Sequence, residues 1–282
     1  MRLGALVLVA ACASAGPPAT EPAPTTAAAT TLAYAQPTMS AATYSVTDST
    51  LFEISGGPIG EIRVASSVRA TTAVTYAQKG SDLEATMRVT DFAGTLTNSA
   101  MGGGGPVATE SDIEGPATII VTPRGMVNVA SMPKLTQSAQ QLGMSQSFFR
   151  RFFARLPARG VRPGTVWVDT ISASDDNAGT KAVLNDIVTS TFVRDTVVNG
   201  QTLALITTTS QRSLDISGTS QGVQIAQKLT GSGSGRVLWD PGRHLLVQRT
   251  ETAQLTGTFE LPQMGVSGMP VTARGALRIA LE

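Results

Sequence analysis

From Tyr44 to the C terminus, apolar and polar residues alternate with a period of two, and β-branched side chains dominate the apolar positions. Alternation of this kind describes strands that bury one face. Residues 68–76 and 83–89 flank a polar turn at 77–82, and 188–193 and 202–207 flank a turn that ends Asn199-Gly200. Asn-Gly between two alternating runs is a strong hairpin signal, because both residues accept positive φ. Further strands are expected at 118–122, 126–130, 165–172, 236–239, 245–255 and 271–281. Connections this direct demand antiparallel neighbours, since a parallel crossover takes a dozen residues or more. The expected fold is mainly β: a long antiparallel meander forming a curved sheet or half-barrel, with helices at about 133–156 packed on it.

A helical period appears only in that last stretch. Ser131 is placed to cap a first helix that ends at Gly143, and Ser145 to cap a second that Pro157 stops. In the second, Phe148, Phe149, Phe152, Phe153 and Leu156 share one face, with Arg150, Arg151 and Arg155 largely opposite. Half of the chain's eight phenylalanines lie in those positions. Such a stripe completes the core as a missing wall, or it lids an apolar cavity or touches lipid, since basic-aromatic helices can sit at a membrane interface. On the second alternative Phe148, Phe149, Phe152 and Phe153 are the candidate ligand-binding residues. The two halves, 43–130 and 161–282, also run in parallel. In each, a hairpin turning at Gly80 or Gly200 precedes a Gly-rich excursion and a hairpin at Pro123-Arg-Gly125 or Pro241-Gly242, the order an internal duplication produces.

The N terminus follows a different pattern. Met1-Arg2 precedes an apolar run to Ala11, too short for a transmembrane helix but right for a secretory signal. Val9-Ala10-Ala11-Cys12 resembles a bacterial lipobox. The resemblance implies cleavage before Cys12 and acylation of that residue, and two or three acyl chains hold a protein stably on a membrane. Ala13, in place of Asp, resembles lipoproteins sent on to an outer membrane. Residues from 13 to about 42 are Pro, Ala and Thr with almost no charge, a composition that reads as a disordered tether. The expected organisation is a signal peptide at 1–11, a lipidated tether at 12–42 and one β-rich domain at 43–282.

Composition narrows the chemistry. The 282 residues carry 21 Lys+Arg against 20 Asp+Glu, and removal of Arg2 with the signal leaves 20 against 20. A neutral chain with no basic run argues against nucleic acid. One Cys and one His leave no disulfide framework, no Cys/His zinc site and no Cys–His nucleophile pair. Gly218-Thr-Ser220-Gln-Gly222 has the spacing of a nucleophile elbow, and Asp240 and His244 follow in chain order. An elbow, however, needs a strand–turn–helix at the edge of a parallel sheet. Glu110, Asp112 and Glu114, and likewise Asp175-Asp176-Asn177, read as turn residues rather than calcium ligands. Met101-Gly-Gly-Gly-Gly-Pro106 lacks the Lys-Ser/Thr pair of a phosphate loop and reads as a loop, His244 as an exposed turn residue, and Trp167 and Trp239 as core anchors. No metal and no cofactor is expected.

Two further resemblances bear on architecture. Leu156-Pro157 with Val161-Arg-Pro-Gly-Thr-Val-Trp167, and Gly233-Ser-Gly-Arg-Val-Leu-Trp-Asp-Pro-Gly-Arg-His244, resemble helix-end and hairpin signatures of uncharacterised secreted bacterial proteins. The whole resembles, at fold level, the LolA-like lipoprotein carriers, in which a bent antiparallel sheet wraps helices around an apolar cavity. The expectation is a non-catalytic cell-envelope lipoprotein, on the outer membrane where the cell has one. It would bind a lipid or a lipoprotein acyl chain between sheet and helix. An envelope scaffold or protein-interaction module is the alternative, and a serine hydrolase at Ser220 comes third. Replacing the anchor residue, Cys12→Ser, is expected to abolish incorporation of labelled fatty acid and retention in the membrane fraction. A variant still acylated and retained would remove the basis for this localisation.

Overall fold

A computed structural model describes residues 29–56, 60–105, 107–177, 179–220 and 222–282. Cys12 and the signal lie outside the described residues. The strands are β1 (Ala41–Ile54), β2 (Ile62–Lys79), β3 (Asp82–Asn98), β4 (Val107–Thr109), β5 (Ile113–Glu114), β6 (Ala117–Val121), β7 (Val127–Ser131) and β8 (Lys134–Leu135). After the helices α1 (Gln137–Gln141) and α2 (Gln146–Arg150) come β9 (Val166–Asn177), β10 (Thr180–Val198), β11 (Gln201–Ser220), β12 (Val223–Asp240), β13 (Leu245–Leu261) and β14 (Val266–Leu281). Eleven strands form one antiparallel sheet in the order β7-β6-β3-β2-β1-β14-β13-β12-β11-β10-β9, with β4 added to β3. The sheet curls into a half-barrel, as the alternation predicts. Its first and last strands, β1 and β14, pair in the middle, with Tyr44 opposite Leu281 and Ile54 opposite Val271.

The strands are longer than the apolar runs alone indicate. β11 and β12 continue through the Gly/Ser stretch as one hairpin, with Ser210 opposite Gly233 and Ser220 opposite Val223. The Gly-rich stretch 231–235 is therefore strand, whereas 102–105 is a loop leading to β4, so the two excursions are not equivalent in structure. Asn199 and Gly200 turn the β10–β11 hairpin at φ 50° and 77°, the mirror-image turn that their sequence demands.

Glycine also sets the curl. Gly231, Gly233 and Gly235 alternate along β12, so all three face the interior. A Cβ on Gly231 would lie 2.1 Å from the Gln254 carbonyl oxygen of β13, and one on Gly235 would lie 2.6 Å from that of Thr250. The neighbouring backbone folds inward over these positions, a bend that a side chain would block.

The helices are shorter than the pattern predicts. Residues from Val127 to Leu135 are drawn into strands β7 and β8, so the first helix starts only at Gln137, capped by Thr136 rather than Ser131. Ser145 does cap α2, its Oγ accepting from the Ser147 amide. After Arg150 the chain unwinds through turns. Phe148, Phe149, Phe152, Phe153 and Leu156 are nevertheless all buried, in one core with Tyr44, Val74, Met87, Ile119, Phe192 and Trp239. A second core, of Ile54, Leu229, Phe259, Met269 and Val271 among others, fills the opposite end of the long strands.

The end of the Pro/Ala/Thr segment is folded too. Thr30 and Val161 exchange both backbone hydrogen bonds, and the Tyr34 amide donates to the Pro123 carbonyl. Leu32 and Tyr34 are buried in the main core. Composition averaged over 12–42 hides these two anchors, which pull the chain onto the domain before β1 begins.

The bend makes a contrast measurable by chemical denaturation. Gly231→Ala is expected to cost about 1–3 kcal/mol, because its methyl meets immovable backbone. Gly275→Ala, whose methyl would find nothing nearer than 3.7 Å, is expected to be neutral to slightly stabilising. Equal effects at both positions would contradict the role given to the β12 glycines.

Candidate functional site

The predicted ligand residues come together, but as packing. Phe148 and Phe149 meet edge to face with ring centroids 5.2 Å apart, and Phe148 and Phe152 at 5.7 Å. Phe152 stands 5.9 Å from Tyr44, Phe153 5.7 Å from Tyr34, and Tyr34 4.6 Å from Trp239. The three tyrosines of the chain serve the same cluster. Tyr44 donates to the Leu246 carbonyl at 3.0 Å and lies 3.2 Å from the Tyr76 hydroxyl, while Tyr34 Oη accepts from the Ala154 amide. Burial raises the pKa of all three, Tyr76 to about 12. The gap left beside Phe152 and Phe153 has a volume of about 10 Å3, room for roughly one water molecule. The sheet/helix interface at the phenylalanines is filled.

Open space lies further along the strands, between the two cores. Strand register lays out its floor. Asp186 (β10), Arg212 (β11), Gly231 (β12) and Leu255 (β13) stand side by side. The next inward row is Val188, Ser210, Gly233 and Ala253, and the one after it is Ser190, Thr208, Gly235 and Glu251. The middle row continues to Gly275 on β14. Small side chains therefore run round the inside of the half-barrel as a trough. Phe153, Ala154 and Arg155 overhang it, and Ile171, Ile206 and Val237 complete its apolar wall. The trough is shallow and open to solvent, with a cavity volume of about 40 Å3.

A charge network crosses this floor. Arg212 donates from Nε to Asp186 Oδ2 at 3.0 Å and from Nη2 to Glu251 Oε1 at 2.6 Å. β11 and β13 are two strand spacings apart, about 10 Å, and the guanidinium spans that distance over β12, whose glycines leave nothing in its path. Arg249 donates to the second Glu251 oxygen at 2.8 Å and to the Arg151 carbonyl at 2.9 Å. Burial alone would raise the Glu251 pKa, but Arg249 and Arg212 outweigh it and carry the group from 4.5 down to about 2. Desolvation pulls the Arg212 pKa down, and Glu251 and Asp186 more than reverse it, so the guanidinium is held charged. Asp186 is only 4% exposed, and its Oδ1 has no hydrogen-bond partner among the described residues.

The other motif residues are placed elsewhere. Ser220 ends β11 at a hairpin and no helix follows it, while Asp240 ends β12 at the opposite extremity. At ~3.3 Å per residue, roughly 55 Å of strand separates Ser220 from Asp240 and His244. Asp240 accepts from the Gly242 and Arg243 amides and from Arg243 Nε. His244 takes the left-handed region at φ 58° and sits half-buried, with Nδ1 3.3 Å from the Ala33 carbonyl, rather than standing exposed. Trp239 is fully buried, and Trp167 is half-buried with Nε1 donating to the Arg155 carbonyl. Asp112 accepts from the Thr109 amide and the Thr136 hydroxyl. Asp175 accepts from Ser145 and Ser147 and so fastens the start of α2 to β9. Among the described residues no group of three or more Asp, Glu, His or Cys is placed to hold a metal.

Sequence reading missed Asp186, Arg212, Arg249 and Glu251. Their signal was parity, because each occupies an inward position of its strand, where alternation calls for an apolar side chain. No protein-family model matches the chain, and no curated protein matches it.

The depressed Glu251 carboxyl stabilises the fold above pH 4.5, and that contribution is lost as pH falls through about 2. Glu251→Gln is expected to lower stability at neutral pH by about 2–3 kcal/mol, and the difference from wild type to shrink between pH 4.5 and 2. Urea titrations across that range check it. A difference that does not change with pH would mean the ion pairs contribute no net stability.

Proposed function

We propose that this protein is a lipid-anchored, non-catalytic binding protein of the cell envelope whose half-barrel trough takes a small amphipathic ligand. The observation that carries the reading is the trough itself. Both ends of the half-barrel interior are packed with large apolar side chains, while the middle is lined by glycine, alanine, serine and threonine. An apolar wall faces a polar, charged floor there, the usual make-up of a small-molecule site. A ligand held between sheet and helix therefore belongs on this floor and under the Phe153–Arg155 overhang, not among Phe148, Phe149 and Phe152. The lipobox-like Val9-Ala-Ala-Cys12 supports the membrane attachment, with the outer membrane favoured.

One observation favours the alternative, an envelope interaction module. Val166 and Val168 on edge strand β9 and Ile187 on β10 are 56%, 58% and 48% exposed. They form an apolar patch on the outside of the sheet, beside a strand that pairs on one side only among the described residues.

Native mass spectrometry of the full-length protein released from membranes separates the two. Wild type is expected to carry a small-molecule adduct beyond its anchor lipid, and Ser210→Leu, which fills the trough, to lose that adduct while melting within a few degrees of wild type. A wild-type mass explained by protein and anchor alone would defeat the binding reading and favour the interaction module.

A further inference from the structure

We propose that the trough floor recognises an uncharged, hydroxyl-bearing group, a sugar or other polyol. The inference rests on the trough being the binding site, and it comes from which polar atoms are already engaged. Arg212 holds two carboxylates, Arg249 holds a carboxylate and a carbonyl, and the overhanging Arg155 donates to the Gly125 carbonyl at 2.9 Å. An anionic group would compete with Asp186 and Glu251 for guanidinium groups that already have partners. A cationic group would find both Glu251 oxygens engaged and Asp186 beside Arg212.

A hydroxyl disturbs none of these pairs. Its partners are the hydroxyls of the floor, Ser190, Thr208 and Ser210, which line the trough. Ser190, Thr208 and Ser210 make no side-chain hydrogen bond among the described residues, and each hydroxyl both donates and accepts. Thr208 Oγ1 and Ser210 Oγ lie over Gly235 and Gly233, each 2.8 Å from where a Cβ would sit. The absence of side chains on β12 thus leaves room above the two hydroxyls. A ring with hydroxyls on its edge and C–H groups on its face fits a polar floor beside an aliphatic wall.

The test uses the full-length protein and four probes in ligand-detected NMR and calorimetry: a hexyl glycoside below its micelle concentration, hexyl phosphate, hexyltrimethylammonium and the free monosaccharide. The glycoside is expected to bind about tenfold or more tighter than either charged amphiphile. Ser210→Val is expected to weaken it about tenfold with little change in Tm. Binding of the glycoside but not the free sugar would assign the hydroxyls to a lipid headgroup, and equal binding of both to a soluble saccharide. A charged amphiphile binding as well as the glycoside, or a glycoside affinity unmoved by Ser210→Val, would overturn the proposal while leaving the trough open to another ligand. Failure of all four probes would overturn it too, and the native mass measurement then shows whether the trough reading falls with it.

Discussion

The two edges of this sheet, β7 and β9, are separated in the chain only by the short strand β8 and the helical segment, because the terminal strands β1 and β14 pair in the middle. A half-barrel made this way cannot close without crossing its own slot, and the chain that crosses is the segment from Met132 to Thr165. Its aromatic stripe fills the opening from inside, and polar bonds fix its rim. Ser145 and Ser147 hold Asp175 of β9, Arg151 pairs with Asp48 of β1, the Leu156 amide donates to the Arg124 carbonyl, and Arg124 pairs with Asp169. Burial of four phenylalanines and a leucine stabilises this arrangement by about 1.5–3 kcal/mol per side chain. Without that segment, the main core would stand open to water along one whole side.

The glycines of β12 and the charges beside them form one device. Curvature brings the strands inward where Cβ atoms are missing, and the same absence lets Arg212 lie across β12 to reach Glu251. Buried ion pairs lose in desolvation much of what they gain by attraction, so this network is a poor filler for a core. It does keep the middle of the half-barrel polar and shallow while both ends pack with aromatic and aliphatic side chains. The open trough and this half-buried charge network therefore coincide.

Much of the architecture was legible in the residues. Period-two alternation located the hairpins, Asn199-Gly200 marked its turn, and the 3.6-residue stripe of Phe148, Phe149, Phe152 and Phe153 marked the buried face. Boundaries were less legible. Arg212 and Asp186 interrupt the apolar parity of their strands, and the Gly/Ser run of β12 resembles a loop in one dimension, so long strands read as short ones. Leu32 and Tyr34 were hidden within a composition that otherwise describes a tether.

By itself the sequence determined the class of fold, the antiparallel connectivity, the aromatic face and the lipobox-like start, because each depends on local spacing or local turn chemistry. Only the tertiary structure decided that Phe148, Phe149 and Phe152 pack into the core, and that the open space lies further along the strands, under Phe153. Those outcomes depend on register, which places Asp186, Arg212 and Glu251 around bare glycine although they are far apart in the chain. Strand pairing sets distances that no single segment encodes.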